Sequence, residues 1–247
     1  MKRAVWLTLV AVLAFAIILI ARLPVTWVAG ALPEGVTCTQ LGGSVWNGTC
    51  VGLVARGVQV GNVTWSLRAL PLLMGKAAGH INVVHGTDFV RGDVEVTRSG
   101  LIVARNLQAD LALNPALIPQ LPRSLTGRAR GNLSLLRVEN GVITSLAGQI
   151  EGRQLVQRIG GENVEIGDYV LAFPPADAAA EPVGQLRSVG GPLDVEGTLR
   201  LTREPGFVLE GRVAAQPNAS PRLTQQLALL GSPDAQGKRP FSLAATF

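Results

Sequence analysis

The chain has 247 residues, of which 47% are hydrophobic and 16% charged, with a mean hydropathy of +0.32 and a net charge of +5. This length suffices for one or two domains with a full core. The basic residues are mostly scattered arginines that do not alternate with aromatic side chains, which argues against a nucleic-acid partner.

The N-terminal segment predicts a membrane anchor. Lys2 and Arg3 precede an uncharged apolar run from Ala4 to Ala21. As a helix this run is about 27 Å long, close to the ~30 Å hydrocarbon core of a bilayer. The positive charges before it place the N-terminus in the cytoplasm. We therefore expect a cytoplasmic tip and single-pass inner-membrane anchor over 1–23, and a periplasmic β-rich domain over 24–247.

A cleaved signal peptide is the alternative interpretation of the same segment. The tripeptide Ala29–Gly30–Ala31 has the small-residue pattern of a cleavage site. However, the apolar run is longer than the hydrophobic region of most signal peptides, and Ala31 lies well beyond its end. This spacing favours an anchor that is retained.

Cys38 and Cys50 are the two cysteines of the chain and flank a glycine-rich segment. Outside the cytoplasm such a pair is expected to form a disulfide, although two free buried thiols remain the alternative. Their spacing is unlike that of a thioredoxin-type pair, and two cysteines cannot complete a structural zinc site. We expect a stapled hairpin that turns within GGSVWNG, with Gly43, Trp46 and Gly48 as the structural turn residues and Asn47–Gly48 as a favoured turn pair.

The remainder of the chain alternates apolar and polar residues with period two, which is typical of half-buried strands. Residues 101–113 predict one strand, or two strands in line, and residues 193–213 predict a hairpin around Pro205–Gly206. Residues 65–75 predict a short helix or turn after a strand. SPRLTQQLALLG predicts a helix capped by Ser220 and covering the sheet through Leu223, Leu227 and Leu230. The Pro- and Ala-rich residues 173–191 predict a loop.

No group of residues in the sequence has the spacing of a catalytic, metal or cofactor site. His80 and His85 are five residues apart, and such positions on a strand face opposite sides. GSPDAQGKR resembles a phosphate loop, but the spacing of its glycines is too long and Arg239 replaces the Ser or Thr after the lysine. The carboxylates of Glu162, Glu165 and Asp168 are close in sequence without a partner nucleophile or base. We therefore expect no enzyme activity and no cofactor.

Several motifs, taken in order, resemble the type II secretion system protein N family. They are GGSVWNG soon after the anchor, VTWSLRALPLLMG, NVEIGDYVLAF and VGGPLDVEGTLRL. The C-terminal region GFVLEGRVAAQPNASPRLTQQLALLGSPDAQGKRPFSLAATF then combines a strand, a leucine helix and a G-x-P-D-x-x-G-[KR] turn. The resemblance extends from the anchor to Phe247.

The resemblance implies an inner-membrane accessory subunit of the machinery that exports folded proteins across the outer membrane. Its implied partners are the secretin and the inner-membrane assembly platform. The implied fold is mainly β: one transmembrane helix followed by an extended, curved antiparallel sheet with a few short helices. That sheet is also similar to AsmA-like proteins, so a lipid-binding or envelope-maintenance module is the alternative. An open apolar groove would favour the lipid-binding alternative, and a filled apolar face would favour a scaffold.

Overall fold

The computed structural model describes residues 6, 12, 15, 19, 22–27, 34–113, 124–175, 181–204 and 206–246. The chain forms two compact units, Met1–Gly86 and Thr87–Phe247. Each unit is built mainly from antiparallel strands, which confirms the mainly β fold. The predicted division between an anchor over 1–23 and a body over 24–247 stays a prediction.

Over residues 34–86 the first unit contains five strands and one short helix. The strands are β1 (Val36–Thr37), β2 (Gln40–Gly43), β3 (Asn47–Ala55), β4 (Val58–Arg68) and β5 (Lys76–His85), and the helix is α1 (Ala69–Leu73). β1 and β2 both pair with β3, which pairs in turn with β4, and β4 pairs with β5. The helix connects β4 to β5, as the tryptophan strand followed by a Pro-Leu-Leu turn predicts.

The second unit is a meander in which each described strand pairs with the next along the chain. Its strands are β6 (Asp88–Thr97), β7 (Ile102–Ala112), β8 (Leu125–Glu139), β9 (Val142–Ile159), β10 (Glu162–Phe173), β11 (Val183–Gly190), β12 (Leu193–Thr202), β13 (Gly206–Ala215) and β14 (Arg239–Thr246). The helix α2 (Pro221–Ala228) lies between β13 and β14. The predicted strand over 101–113 and hairpin over 193–213 are confirmed as β7 and as β12 with β13.

The second unit buries two apolar clusters, because period-two alternation places the apolar side chains of each strand on one face. Cluster 1 is built on Ile159, Val164, Leu193, Val195, Val213, Leu223 and Leu227. Cluster 2 is built on Leu146, Phe173 and Leu201. Gly184 makes cluster 2 possible, since a Cβ at this position would lie 2.7 Å from Cε1 of Phe173.

The helix α2 covers cluster 1 as its sequence predicts. The Ser220 side chain accepts a hydrogen bond of 3.3 Å from the backbone N–H of Leu223, which caps the first turn. Leu223 and Leu227 are buried, whereas Leu230 lies beyond the helix and is 42% exposed. The predicted apolar face is therefore one residue shorter than expected.

The predicted loop over 173–191 is wrong for its second half. Residues 183–190 form β11, paired with both β10 and β12. The small residues that suggested a loop fit the strand, because Gly184 leaves room for the aromatic ring of Phe173 on the neighbouring strand.

The predicted membrane span Ala4–Ala21 and the alternative cleavage site Ala29–Ala31 lie almost entirely outside the described residues. Within the part of the chain that the structure describes, no helix combines the length and the apolar character needed to cross a membrane.

Candidate functional site

A disulfide between Cys38 and Cys50 closes the first hairpin. Their Cα atoms are 5.7 Å apart, and Cys50 is 3% exposed. Cys50 lies on β3 opposite Leu41 of β2, and the backbone N–H of Thr39 donates to the carbonyl of Val51. The bond therefore ties the segment just before β2 to the middle of β3.

The hairpin turns within GGSVWNG, but not at Asn47–Gly48. Asn47 and Gly48 begin β3, and Val45 and Trp46 are the central residues of the turn. Ser44 fixes this turn because its N–H donates to the Asn47 carbonyl at 2.9 Å and its hydroxyl accepts from the Asn47 N–H at 3.1 Å. The positive φ of +87° at Gly43 explains the glycine that precedes the turn.

Gly48 serves a packing contact and not a backbone reversal. A Cβ at this position would overlap the indole ring of Trp65, which lies opposite it on β4. The indole Nε1 of Trp65 donates a 3.0 Å hydrogen bond to the Val45 carbonyl, so Trp65 clamps the turn to the sheet. The predicted anchoring by the half-buried Trp46 side chain stays a prediction.

The chain that follows the apolar N-terminal run is bonded to this same turn. Pro24 forms a β-bridge with Ser44, and the Val45 N–H donates to the Leu23 carbonyl at 3.0 Å. On the other side of the turn, the N–H of Leu67 donates to the Trp46 carbonyl at 2.6 Å. The end of β4 and the segment Leu23–Pro24 therefore lie at the same end of the first unit.

The connection after β4 ends in an exposed apolar tip, which we define as Leu70, Leu72, Leu73 and Met74. Their exposed fractions are 77%, 40%, 86% and 77%. No residue of α1 is buried. The sequence predicts only a short helix or turn for this segment. The unbroken apolar run after Pro71 was the signal that could have singled it out.

An arginine–aspartate network lies on β6, β7 and β8 of the second unit. The Asp110 carboxylate accepts hydrogen bonds of 2.8 Å from Arg128 and of 2.8 and 3.1 Å from Arg130, and Arg128 also reaches Asp88 at 3.1 Å. The hydrogen bond from Arg130, followed by that from Arg128, holds the pKa of Asp110 below its usual range against the opposing effect of burial. Arg128 and Arg130 thus bind carboxylates of their own sheet.

The three carboxylates that the sequence places close together serve separate structural contacts. Asp168 accepts a 2.6 Å hydrogen bond from the N–H of Gln154, whose φ is +51°. Glu162 pairs with Arg222 of α2 at 2.7 Å, and Glu165 is exposed. These groups therefore do not converge on one reaction centre.

The segment GSPDAQGKR forms a turn that its own aspartate closes. The Asp234 carboxylate accepts from the N–H groups of Gln236 and Lys238, each at 2.9 Å. The Lys238 ammonium lies 2.9 Å from Asp194 and 3.3 Å from Glu196. The hydrogen bond to Asp194 raises the pKa of Lys238. A lysine held by two carboxylates is poorly placed to bind a phosphate.

The described residues contain no group of three or more His, Cys, Asp or Glu side chains that could hold a metal ion. His80 and His85 are both exposed on β5.

A cleft of about 470 Å³ lies beside cluster 2, lined by residues that include Glu139, Ile143 and Leu201. Its lining combines apolar residues with the charged residues Glu139, Glu181 and Arg203.

Comparison with known proteins gives one consistent result. The sequence profile of the family described as Type II secretion system (T2SS), protein N matches residues 34–242, well over half of the chain. A protein named Type II secretion system protein N from Vibrio cholerae serotype O1 (strain ATCC 39315 / El Tor Inaba N16961) is 26% identical over 226 residues, covering 85% of each chain. No solved structure matches the chain significantly. The chain therefore belongs to the type II secretion system protein N family.

Proposed function

We propose that this protein is a non-enzymatic, inner-membrane accessory subunit of the type II secretion system, supporting export of folded periplasmic proteins across the outer membrane. The observation that carries the proposal is the family match over residues 34–242. The secretin and the inner-membrane assembly platform are the partners that this role requires. One membrane span, Ala4 to Ala21, would hold the β-rich body on the periplasmic side.

Two structural observations support this placement. Trp6, Val12, Phe15 and Leu19 are each helical and have exposed fractions of 69%, 62%, 65% and 43%. Apolar side chains exposed on a helix are suited to lipid. The disulfide between Cys38 and Cys50 is suited to an oxidising compartment such as the periplasm.

A scaffolding role is favoured over catalysis because the polar groups that stood out in sequence are bonded within the fold. The carboxylate of Asp168 holds a positive-φ residue, and the ammonium of Lys238 is held by two acidic side chains. Clusters 1 and 2 likewise favour a scaffold over the AsmA-like alternative. Their apolar faces are filled by side chains of the second unit and, in cluster 1, by α2.

Deletion and topology tests address this function separately. In a strain lacking the gene, we expect the activity of secreted enzymes to fall in the medium and to accumulate in the periplasm. Plasmid-encoded full-length protein should restore export. A periplasm-active reporter fused after Phe247 should be active, and activity of a reporter that works only in the cytoplasm would contradict the proposed topology. Unchanged secretion in the deletion strain would contradict the secretion role itself.

A further inference from the structure

We propose that the apolar tip formed by Leu70, Leu72, Leu73 and Met74 inserts into the periplasmic surface of the bilayer that holds the anchor, beside anionic lipid headgroups. The inference rests on the proposed anchor and extends it. It gives the first unit a second membrane contact, which would fix the orientation of its sheet relative to the membrane.

The exposure of the tip is the first argument. Leu73 is 86% exposed, and Leu70 and Met74 are each 77% exposed, although all three follow one another closely in a short connection. Single exposed apolar residues are ordinary on protein surfaces, but several together mark a contact surface. The tip connects β4 to β5 and its apolar side chains are exposed, which suits insertion between lipid headgroups.

The position of the tip is the second argument. The apolar N-terminal run ends at Ala21, and the Leu23 carbonyl is already bonded to the hairpin turn through the Val45 N–H. The Trp46 carbonyl of that turn accepts from the Leu67 N–H, immediately before the tip. Hydrogen-bonded backbone segments lie about 5 Å apart. One such step leads from Leu23 to the turn and a second from the turn to Leu67, so the start of the tip lies roughly 10 Å from Leu23. The tip is therefore at the membrane-proximal end of the first unit.

The charge of the first unit is the third argument. On the periplasmic side of the proposed anchor, residues 22–86 carry four basic residues, namely Arg22, Arg56, Arg68 and Lys76, against the acidic residue Glu34. Thr87–Phe247 instead has equal numbers of basic and acidic residues, sixteen of each. Arg68 and Lys76 flank the tip in sequence. Basic residues beside an inserted apolar segment favour a surface of anionic lipids.

An exposed tryptophan at the same end supports a lipid partner. Trp27 is 72% exposed and follows the segment that bridges to Ser44. Tryptophan is enriched at the boundary between headgroups and acyl chains, where its ring is partly apolar and its N–H is hydrated.

A local fluorescence measurement tests the contact in the full-length protein. Leu73→Cys is labelled with an environment-sensitive fluorophore without reductant, so that Cys38 and Cys50 stay bonded. The protein is reconstituted into vesicles of phosphatidylethanolamine and phosphatidylglycerol that contain a lipid with a shallow acyl-chain quencher. Gln59→Cys is the matched control, because Gln59 is exposed at the opposite end of β4, about 27 Å from Leu67 along the strand.

We expect blue-shifted emission and quenching at residue 73 that is several-fold stronger than at residue 59. In vesicles of phosphatidylcholine alone, the quenching at residue 73 should fall several-fold, because the anionic headgroups are absent. Equal, weak quenching at both labels in protein that resists alkaline extraction would overturn the proposal while leaving the anchor intact. This result is expected if the tip binds another protein of the machinery and not lipid. Extraction of the protein by alkali would instead contradict the anchor, and the inference with it.

Discussion

The polar group of Tyr169, the single tyrosine of the chain, is bonded entirely within the fold. Its hydroxyl donates a hydrogen bond to the Ile166 carbonyl, and its ring packs against cluster 1. Burial, followed by the nearby charge of Asp168, raises the pKa of Tyr169 to about 12. The side chain is therefore a structural hydrogen-bond donor at every physiological pH.

This pKa gives a spectroscopic prediction. In the folded protein, tyrosinate absorbance should appear with a midpoint near pH 12, whereas in denaturant it should appear near the ordinary value of about 10. Because the unfolded chain loses this proton first, the contribution of Tyr169 to stability should be complete below about pH 10 and should decline as pH rises toward 12. Tyr169→Phe is the control and should abolish the transition. A folded-state midpoint near pH 10 would contradict the buried placement.

Gly48 of the stapled hairpin packs against the indole ring of Trp65 on β4, which leaves no room for a Cβ. We expect Gly48→Ala to lower the free energy of unfolding by about 1–3 kcal/mol, because the new methyl group displaces the indole ring or the strand that carries it. Gly190→Ala is the matched control. A Cβ at Gly190 meets nothing within 4 Å, and its backbone φ is outside the positive range. Chemical denaturation of both variants measures the difference, and equal destabilisation would show that the Trp65 contact is not the cause.

At the scale of elements, the disulfide is the main local constraint on the first hairpin. It spans a sequence separation of 12 residues. Replacing both cysteines, as Cys38→Ser with Cys50→Ser, should lower stability by roughly 2–4 kcal/mol, because the unfolded chain regains the entropy of the open loop. Secretion should persist at permissive temperature, since the bond is structural. Mass measurement after thiol alkylation tests the bond itself, and alkylation of both thiols in unreduced wild-type protein would contradict it.

Elements with a regular period or a cap could be predicted from the sequence, and elements defined by close packing could not. Alternating apolar residues identify β7 and β12, and Ser220 before Pro221 identifies the start of α2. The sequence does not predict β11, because the role of Gly184 is to leave room for the ring of Phe173 on the neighbouring strand. Local composition does not encode such a contact between strands. Gly48 is a second example: the sequence predicts a turn there, although the residue packs against Trp65 on the neighbouring strand.

At the scale of the molecule, the candidate membrane contact could be predicted only in part. The apolar residues of the tip and the excess of basic residues in the first unit are both visible in the sequence. Whether these features mark a membrane contact depends on the exposure of the tip and on its position. The position follows from the hydrogen bonds that join Leu23 to Val45 and Trp46 to Leu67. An equally apolar segment at the opposite end of β4 would carry no such implication.

The two units differ in how they are stabilised, and this difference gives the last prediction. The second unit holds both apolar clusters, whereas the buried hydrophobic residues that the structure describes in the first unit are Val25, Cys50 and Ala78. A unit with so small a set of buried side chains depends more strongly on a covalent link.

Reduction of the disulfide should therefore loosen the first unit selectively. In hydrogen–deuterium exchange followed by mass spectrometry, reductant should increase exchange in β2, β3 and β4 and leave the peptides of β12 and β13 nearly unchanged. The double serine variant should reproduce this pattern without reductant and should not respond further when reductant is added, which separates loss of the bond from other effects of the reagent. Equal increases in both units would mean that Met1–Gly86 and Thr87–Phe247 unfold as one cooperative body, and the disulfide would then stabilise the whole chain.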